Sequence, residues 1–377
     1  MRRFFAFFER FDLLLLLSVL GLVGFGCLLI YSISISQEQA TFLRLEKQVF
    51  SACFGLILAG ILTWIDYRHT RSFSTMGYLL GFCLLAGVLL FGTRINGTSG
   101  WFQLGSFSFQ PVELAKITLI IYLSAFFSRR ARGQLSWKMF LQSSVGVGVY
   151  TALVLLQPDF GSAMVMMGTW LILSCFIGLP RYAWIILPLV ALLGTGTLWR
   201  FGLEPYQRDR ILTFFEAERD TQNTGYNAMQ AKIAIGSGGL MGKGLGSGSQ
   251  ARLRFLPESS TDFIFSVLGE ELGLVGILLT LSLYGVVIGR MLWIGYTSQD
   301  DYAALLLVGG VGVLTIHITV NGGMNMGIFP ITGIPLPFLS AGASSLVSFL
   351  LLIGITESIA LRRGIGGIRA TVHAYEQ

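Results

Sequence analysis

Lys232-Ile233-Ala234-Ile235-Gly236-Ser237-Gly238-Gly239-Leu240, Gly242-Lys243-Gly244, Phe255-Leu256-Pro257-Glu258 and Thr261-Asp262-Phe263-Ile264-Phe265 all fall in one polar insert. That insert, Trp199 to Leu272, interrupts an otherwise lipid-soluble chain and also carries Tyr206-Gln207-Arg208-Asp209-Arg210. Arginines, lysines and glycines suit a phosphate-rich ligand, because cations and exposed backbone N–H groups both favour anions. One carboxylate, Asp262, stands where the insert turns back into hydrophobic sequence.

The sequence around the insert sets the fold class. The chain has 377 residues, 53% of them hydrophobic and only 12% charged, where soluble proteins carry about 25% charged residues. Apolar runs long enough to cross about 30 Å of hydrocarbon recur along it. The expectation is an all-α polytopic membrane protein with about ten transmembrane helices. They are placed at 12–33, 47–66, 74–93, 111–128, 139–157, 159–178, 182–200, 263–290, 301–326 and 342–361. The whole chain, 1–377, then forms one integral membrane domain, with 201–262 a large loop between spans seven and eight. The net charge of +6 reads as topology plus attraction to anionic membrane lipid. No basic-aromatic module points to nucleic acid. Cys27, Cys53, Cys83 and Cys175 lie inside apolar runs without metal-ligand spacing and read as small hydrophobic fillers. The basic start, Met1 to Arg10, reads as the flank of a retained first span.

Lysine and arginine in the short loops orient the bundle. Arg2, Arg3, Arg10, Arg68, Arg71, Arg129, Arg130, Arg132, Lys138, Arg181, Arg290, Arg362, Arg363 and Arg369 share one side. Arg44, Lys47, Arg94 and Lys116 hold the other. The positive-inside rule puts the first side and both termini in the cytoplasm. Long loops are exempt from that count, so the insert faces outward.

On the outward side the polar groups gather. Gln110-Pro111-Val112-Glu113 opens span four and Gln157-Pro158-Asp159 opens span six. Glu113 and Asp159 complement a helix N-terminus, so a plain helix-start role is one reading of both, beside a functional one. Lys116 lies three residues after Glu113, on the same helix face, so the two can pair. Ionisable groups inside a span usually face the bundle interior or a wet cavity. Trp101 reads first as an interfacial anchor. His317 reads as a hydrogen-bonded helix contact before a proton relay. The Gly- and Pro-broken run Asn321 to Ser345 belongs where protein buries it or where it lines a cavity. Asp262 has two readings, an N-cap of span eight or a functional carboxylate at a cavity mouth. Glu270 and Glu271 read as structural. The glycine-rich run fits neither nucleotide motif, and tight packing against the membrane surface is the other reading of its glycines. A P-loop would need glycine at Ser237 and Ser/Thr at Gly244, and a Rossmann loop would need glycine at Met241.

Lys232 to Gly246, Leu256 to Gly273, Asn321 to Ser345 and the shorter Trp101 to Lys116 together resemble the SEDS family of bacterial cell-wall synthesis. The spelling around Lys232 and Gly242-Lys243-Gly244 is closer to its elongation type than to its division type. The resemblance spans nearly the whole chain. One corner departs from it, since Ser340-Ala341-Gly342-Ala343-Ser344-Ser345 stands where the family has Ser-Tyr-Gly-Gly-Ser-Ser. The resemblance implies a peptidoglycan glycosyltransferase of the bacterial cytoplasmic membrane that polymerises lipid II and releases undecaprenyl pyrophosphate. It makes Asp262 the catalytic carboxylate and implies a class B penicillin-binding transpeptidase as partner.

The residues left once triads and metal clusters are set aside suit that chemistry. A base takes the proton of an attacking sugar hydroxyl while cations stabilise a departing pyrophosphate. Lys116, Arg208, Arg210, Lys232 and Lys243 are assigned to pyrophosphate and sugar contacts, with Glu113 orienting Lys116 and with Asp159 and Trp101 at the same face. A divalent cation, magnesium or manganese, could bridge Asp262 and pyrophosphate, although no metal site is spelled out. A lipid II flippase or a non-catalytic scaffold are the competing classes. The outward clustering of charge argues against the flippase, and the conjunction of Asp262 with cations argues against the scaffold.

Overall fold

The computed structural model describes residues 11–36, 42–95, 98–105, 107–130, 135–197, 199–200, 208, 212, 224–252, 255–256 and 258–363. In chain order the helices are α1 (Leu13–Ser36), α2 (Leu43–Trp64), the short α3 (Arg68–Ser72) and α4 (Ser74–Phe91). Strands β1 (Thr93–Ile95), β2 (Thr98–Leu104) and β3 (Phe107–Phe109) follow. Then come α5 (Pro111–Arg130), α6 (Trp137–Leu156), α7 (Phe160–Ile177), α8 (Ala183–Thr197), α9 (Thr224–Gly238) and the short α10 (Ser249–Arg252). The long α11 (Ile264–Thr297), α12 (Asp301–Asn325) and α13 (Ala343–Arg362) complete the fold.

Among the described residues, 9 helices are long and apolar enough to cross a membrane. They match nine of the expected spans in order. The seventh, α8, is described over 15 residues and carries an internal Pro188. Leu17, Ile57, Leu80 and Leu90 are among many large apolar side chains left exposed on these helices, as expected where lipid is the solvent. Inside the bundle, Ser and Thr hydroxyls donate back to carbonyls of their own helices, as Thr63 does to Ala59 and Thr169 to Val165. Small residues set the closest crossings. A side chain on Gly354 would meet the Ala59 backbone at 2.6 Å, so α13 and α2 pack backbone to backbone.

Two features depart from the sequence reading. Between spans three and four the chain forms a three-stranded antiparallel sheet, in the order β1-β2-β3. The Gln157 carbonyl accepts from Ser99 N–H at 3.2 Å and pins this ribbon to the end of α6. Span eight is also longer than its expected end at 290, and it is broken. Gly273 takes φ 65, ψ −162 within α11, so the ladder there is interrupted. The insert fills the gap. Lys243 N–H and Gly244 N–H donate to the carbonyls of Glu270 and Glu271, while Leu274 and Val275 N–H donate to Gly239 and Leu240 carbonyls.

This exchange decides between the two readings of the glycine-rich run, for close packing and against an anion cradle. The amides of Lys243 and Gly244 are taken by helix carbonyls, and Gly246 N–H donates to Ser32 Oγ at 2.6 Å. The glycines allow backbone to touch backbone. A side chain on Gly273 would stand 2.6 Å from the Leu240 carbonyl, and its positive φ is unfavourable for any L-residue. Gly273→Ala is therefore expected to destabilise the fold by about 2–3 kcal/mol, read as a lower melting temperature in detergent. Gly285→Ala, on the same helix with no atom within 4 Å of the added carbon, is the control and should be neutral or stabilising.

Candidate functional site

The bundle has two chemically distinct ends. At one, Arg290 pairs with Asp12 at 2.6 Å, Arg71 lies 3.7 Å from Asp300, Arg129 donates to the Arg71 carbonyl, and Arg362 caps the Trp64 carbonyl. At the other end lie Asp262, the broken run after α12, and the start of α5.

Asp262 is half-buried in the turn 258–263, where Thr261 and Phe263 N–H both donate to the Glu258 carbonyl. The helix cap falls one residue later, on Phe263, and no side chain caps it. The N-cap reading of Asp262 is thus overturned, because the turn has already closed on Glu258 before the helix begins. The carboxylate lies beside the bare Cα of Gly333, where an added carbon would be 3.7 Å from Asp262 Oδ2. Gly333 itself sits at φ 74, a conformation that favours glycine.

The turn is laced to the broken run by backbone groups that no helix satisfies. Ser340 Oγ donates to the Thr261 carbonyl at 2.7 Å and accepts from Leu336 N–H at 2.8 Å. Ala341 N–H donates to the Ser260 carbonyl at 2.8 Å, Gln48 Nε2 donates to the Ser340 carbonyl, and Tyr284 OH donates to the Pro337 carbonyl. Phe338, at φ 65, is a strained non-glycine residue in this wall. The family departures at Ala341 and Ala343 are accommodated. Ala341 acts through its backbone, and Ala343 is simply the first residue of α13.

Beneath the wall, Lys116 Nζ donates to Glu113 Oε1 at 2.9 Å, each side chain only 3% exposed. Lys116 also meets His317 Nε2 at 3.1 Å, and His317 Nδ1 lies 3.0 Å from the Pro335 carbonyl. A carbonyl only accepts, so Nδ1 carries the proton and Nε2 offers its lone pair to the ammonium. Asn321 Nδ2 and Asn325 Nδ2 both donate to the Asp262 carbonyl, at 3.1 and 3.0 Å.

The remaining sequence candidates divide. Asp159 is the N-cap of α7, accepting from Ser162 N–H at 2.9 Å, and its other oxygen is 3.4 Å from Gln110 Nε2. Trp101 sits on β2 with its indole N–H toward Thr98 Oγ1, in the ribbon beside the site. Lys232 is exposed, and its ammonium end would lie 3.1 Å from a carbon added at Gly327, just past the end of α12. Lys243 is drawn away from the site, paired at 2.8 Å with Glu270, which also accepts from Ser249 Oγ and Gln250 N–H. Glu271 accepts from Ser32 Oγ on α1 and from Gly246 N–H of the insert, so both glutamates have structural partners, as expected. Arg208 donates to the Arg200 carbonyl at 3.4 Å. Arg210 lies outside the described residues.

Sequence reasoning missed Arg44, Asn321 and Asn325 at this end. Arg44 Nη1 donates to Ser260 Oγ at 2.5 Å, two residues before Asp262. The asparagines had a legible signal. With His317 they repeat every four residues in an apolar span, which puts all three on one helix face.

A half-buried carboxylate, a buried ammonium and a wall of non-helical backbone at one end of a helical bundle define a polytopic membrane protein with a built polar site. Comparison with known proteins narrows the class. A family profile described as "Cell cycle protein" and covering FtsW, RodA and SpoVE matches residues 12–364. The peptidoglycan glycosyltransferase MrdB of Escherichia coli K12 is 36% identical over 353 residues, 93% of this chain and 94% of that protein. A chain of a solved peptidoglycan synthase complex, described as coordinating polymerisation and crosslinking, superposes with a TM-score of 0.80 at 30% identity. The match covers 94% of this chain and 98% of that one. The crystal structure of the rod shape determining protein RodA of Thermus thermophilus superposes at 0.70 with 28% identity and the same coverage. The chain belongs to the FtsW/RodA/SpoVE, or SEDS, family.

Proposed function

We propose that this protein is a peptidoglycan glycosyltransferase of the elongation type. It would join lipid II disaccharide-peptide units into glycan strands and release undecaprenyl pyrophosphate. The observation that carries the reading is the placement of Asp262. Its carboxylate stands at the rim of the broken wall, with the Lys116 ammonium held beneath, in a chain 36% identical over nearly its full length to a named peptidoglycan glycosyltransferase.

In this reading the acceptor's glucosamine 4-hydroxyl attacks C1 of the donor's muramic acid. Asp262 takes the hydroxyl proton as the new C–O bond forms. The bond from C1 to pyrophosphate breaks with inversion, its electron pair leaving on the pyrophosphate oxygen. Charge developing there is met by Lys116, with Lys232, Arg208 and Arg210 as further donors. Lys243 serves instead to hold the insert on α11. Asp159 and Trp101 shape the rim between the α7 start and the ribbon. Among the described residues no cluster of three His, Cys, Asp or Glu could hold a metal. A divalent ion, if one is used, would have Asp262 as its protein ligand and would supply positive charge for the departing pyrophosphate. The partner is proposed to be a single-span class B penicillin-binding transpeptidase that crosslinks the strands, in line with the synthase complex above.

The test is polymerisation of lipid II by the purified full chain in detergent, with and without a co-purified transpeptidase. Micelles contain no sealed compartments, so a flippase would leave lipid II unextended. Glycan strands are the expected product, and unextended lipid II in both arms would overturn the reading.

The active end is proposed to face outward in the bacterial cytoplasmic membrane, with the arginine-rich end and both termini in the cytoplasm. Single cysteines at the exposed positions Ser247 and Lys138, in a background lacking the native four, should label differently on intact cells. A membrane-impermeant thiol reagent is expected to reach 247 and not 138. The reverse pattern would invert the topology.

A further inference from the structure

His317, Asn321 and Asn325 are each fully buried on α12, spaced by four residues along one face. Buried polar side chains in a membrane span are costly unless satisfied, so their partners show what they are for. None turns outward to lipid. His317 bridges Lys116 Nζ and the Pro335 carbonyl, at 3.1 and 3.0 Å. Asn321 Nδ2 bridges the Ile334 and Asp262 carbonyls, at 2.8 and 3.1 Å. Asn325 Nδ2 adds a second donor to the Asp262 carbonyl at 3.0 Å, and its Oδ1 accepts from Ser266 Oγ at 2.6 Å. The stripe therefore meets the ammonium at its lower end, the turn bearing the carboxylate at its upper end, and the broken wall between them.

We propose that His317, Asn321 and Asn325 form a positioning rail that fixes the spacing between Lys116 and Asp262. The proposal rests on the assignment of those two residues as pyrophosphate-binding cation and general base. None of the three touches substrate. Each acts through a residue that does, and α12 supplies a rigid ruler between them. Capping the loose carbonyls of residues 334 and 335 would explain two of the contacts. It does not explain the bond to Lys116 or the two amides converging on Asp262. A ruler of this kind governs the geometry of the reacting groups, so its loss should lower kcat more than it raises KM for lipid II. Misplacement by about 1 Å can cost about 10²-fold in rate.

The experiment compares His317→Gln with His317→Asn, alongside Asn325→Ala and Asp262→Asn, in the full chain. Polymerisation is followed over a range of lipid II concentrations, and a melting curve in detergent is recorded for each protein. Glutamine carries both an N–H and a carbonyl on a side chain long enough to span Lys116 and Pro335. Asparagine keeps the polarity but is too short. The rail predicts near-parent kcat for His317→Gln, and a kcat lowered about 10²-fold for His317→Asn and Asn325→Ala with KM little changed. Equal kcat in the two His317 variants, or loss that follows melting temperature alone, would overturn the rail while an inactive Asp262→Asn left the site assignment standing. An active Asp262→Asn would overturn the site assignment and the rail with it.

Discussion

Asp262→Asn is expected to fold normally and to lose lipid II polymerisation by about 10²–10⁴-fold, the usual contribution of a positioned general base. Asparagine keeps the shape of the side chain, and α11 does not depend on it for capping, because the cap position is Phe263. The turn is anchored through its backbone carbonyls and through Ser260 Oγ, which accepts from Arg44. The Asp262 carbonyl receives the two asparagine amides, and Ser340 Oγ and Ala341 N–H donate to the carbonyls of Thr261 and Ser260 just before it. Those contacts survive in the variant, so melting temperature and co-purification with a transpeptidase should both be unchanged. A base must be unprotonated to act, so the parent's rate should fall on the acid side of its pH profile and the residual rate of the variant should lack that limb. Polymerisation by Asp262→Asn at close to the parent rate would remove Asp262 from the chemistry.

The sequence made the membrane-spanning architecture plain because hydropathy is a property of composition over about 20 residues. Ile264 to Thr297 shows where that signal stops. A window of apolar residues cannot reveal that Gly273 breaks the helix, because the break is stabilised by residues 239–244, thirty positions away in sequence. The same distance effect left the two readings of the glycines undecided in the sequence. Gly242-Lys243-Gly244 has the composition of an anion-binding loop, but the Lys243 and Gly244 amides are occupied by the carbonyls that Gly273 releases, and the Gly242 amide by Gly238. Lys243 then follows its backbone, and its ammonium goes to Glu270. Glu113 and Lys116 were legible as a pair because three residues along a helix is a local relation. The stripe His317, Asn321, Asn325 was equally local in spacing. Its partners, Lys116 and Asp262, come from other spans, and only the fold brings them to one face. Thr93 to Phe109 was hidden for another reason. Its strands are three to seven residues long, too short for a period of two to stand out beside apolar helices.

Lys116→Met is expected to cost stability and activity together, and the double variant with Glu113→Gln should separate the two. The ion pair is enclosed, each side chain 3% exposed. Removing the ammonium strands the Glu113 carboxylate in the bundle, and breaking a buried pair in this way costs about 3–5 kcal/mol. It also leaves His317 Nε2 without its donor. The single variant should therefore melt well below the parent, and loss of polymerisation by it alone would say little about mechanism. Adding Glu113→Gln removes the orphan charge and leaves an amide facing an apolar side chain of similar length. Buried ion pairs replaced by neutral groups of similar volume are often neutral or even stabilising, so the double variant should recover most of the lost melting temperature. A structural pair predicts that activity returns with it. A cation needed by the departing pyrophosphate predicts a folded double variant that still fails to extend lipid II, since neither methionine nor glutamine supplies positive charge. Recovery of polymerisation in that double variant would reduce Lys116 to a packing element and leave Lys232 and the arginines of the insert as the cations to test.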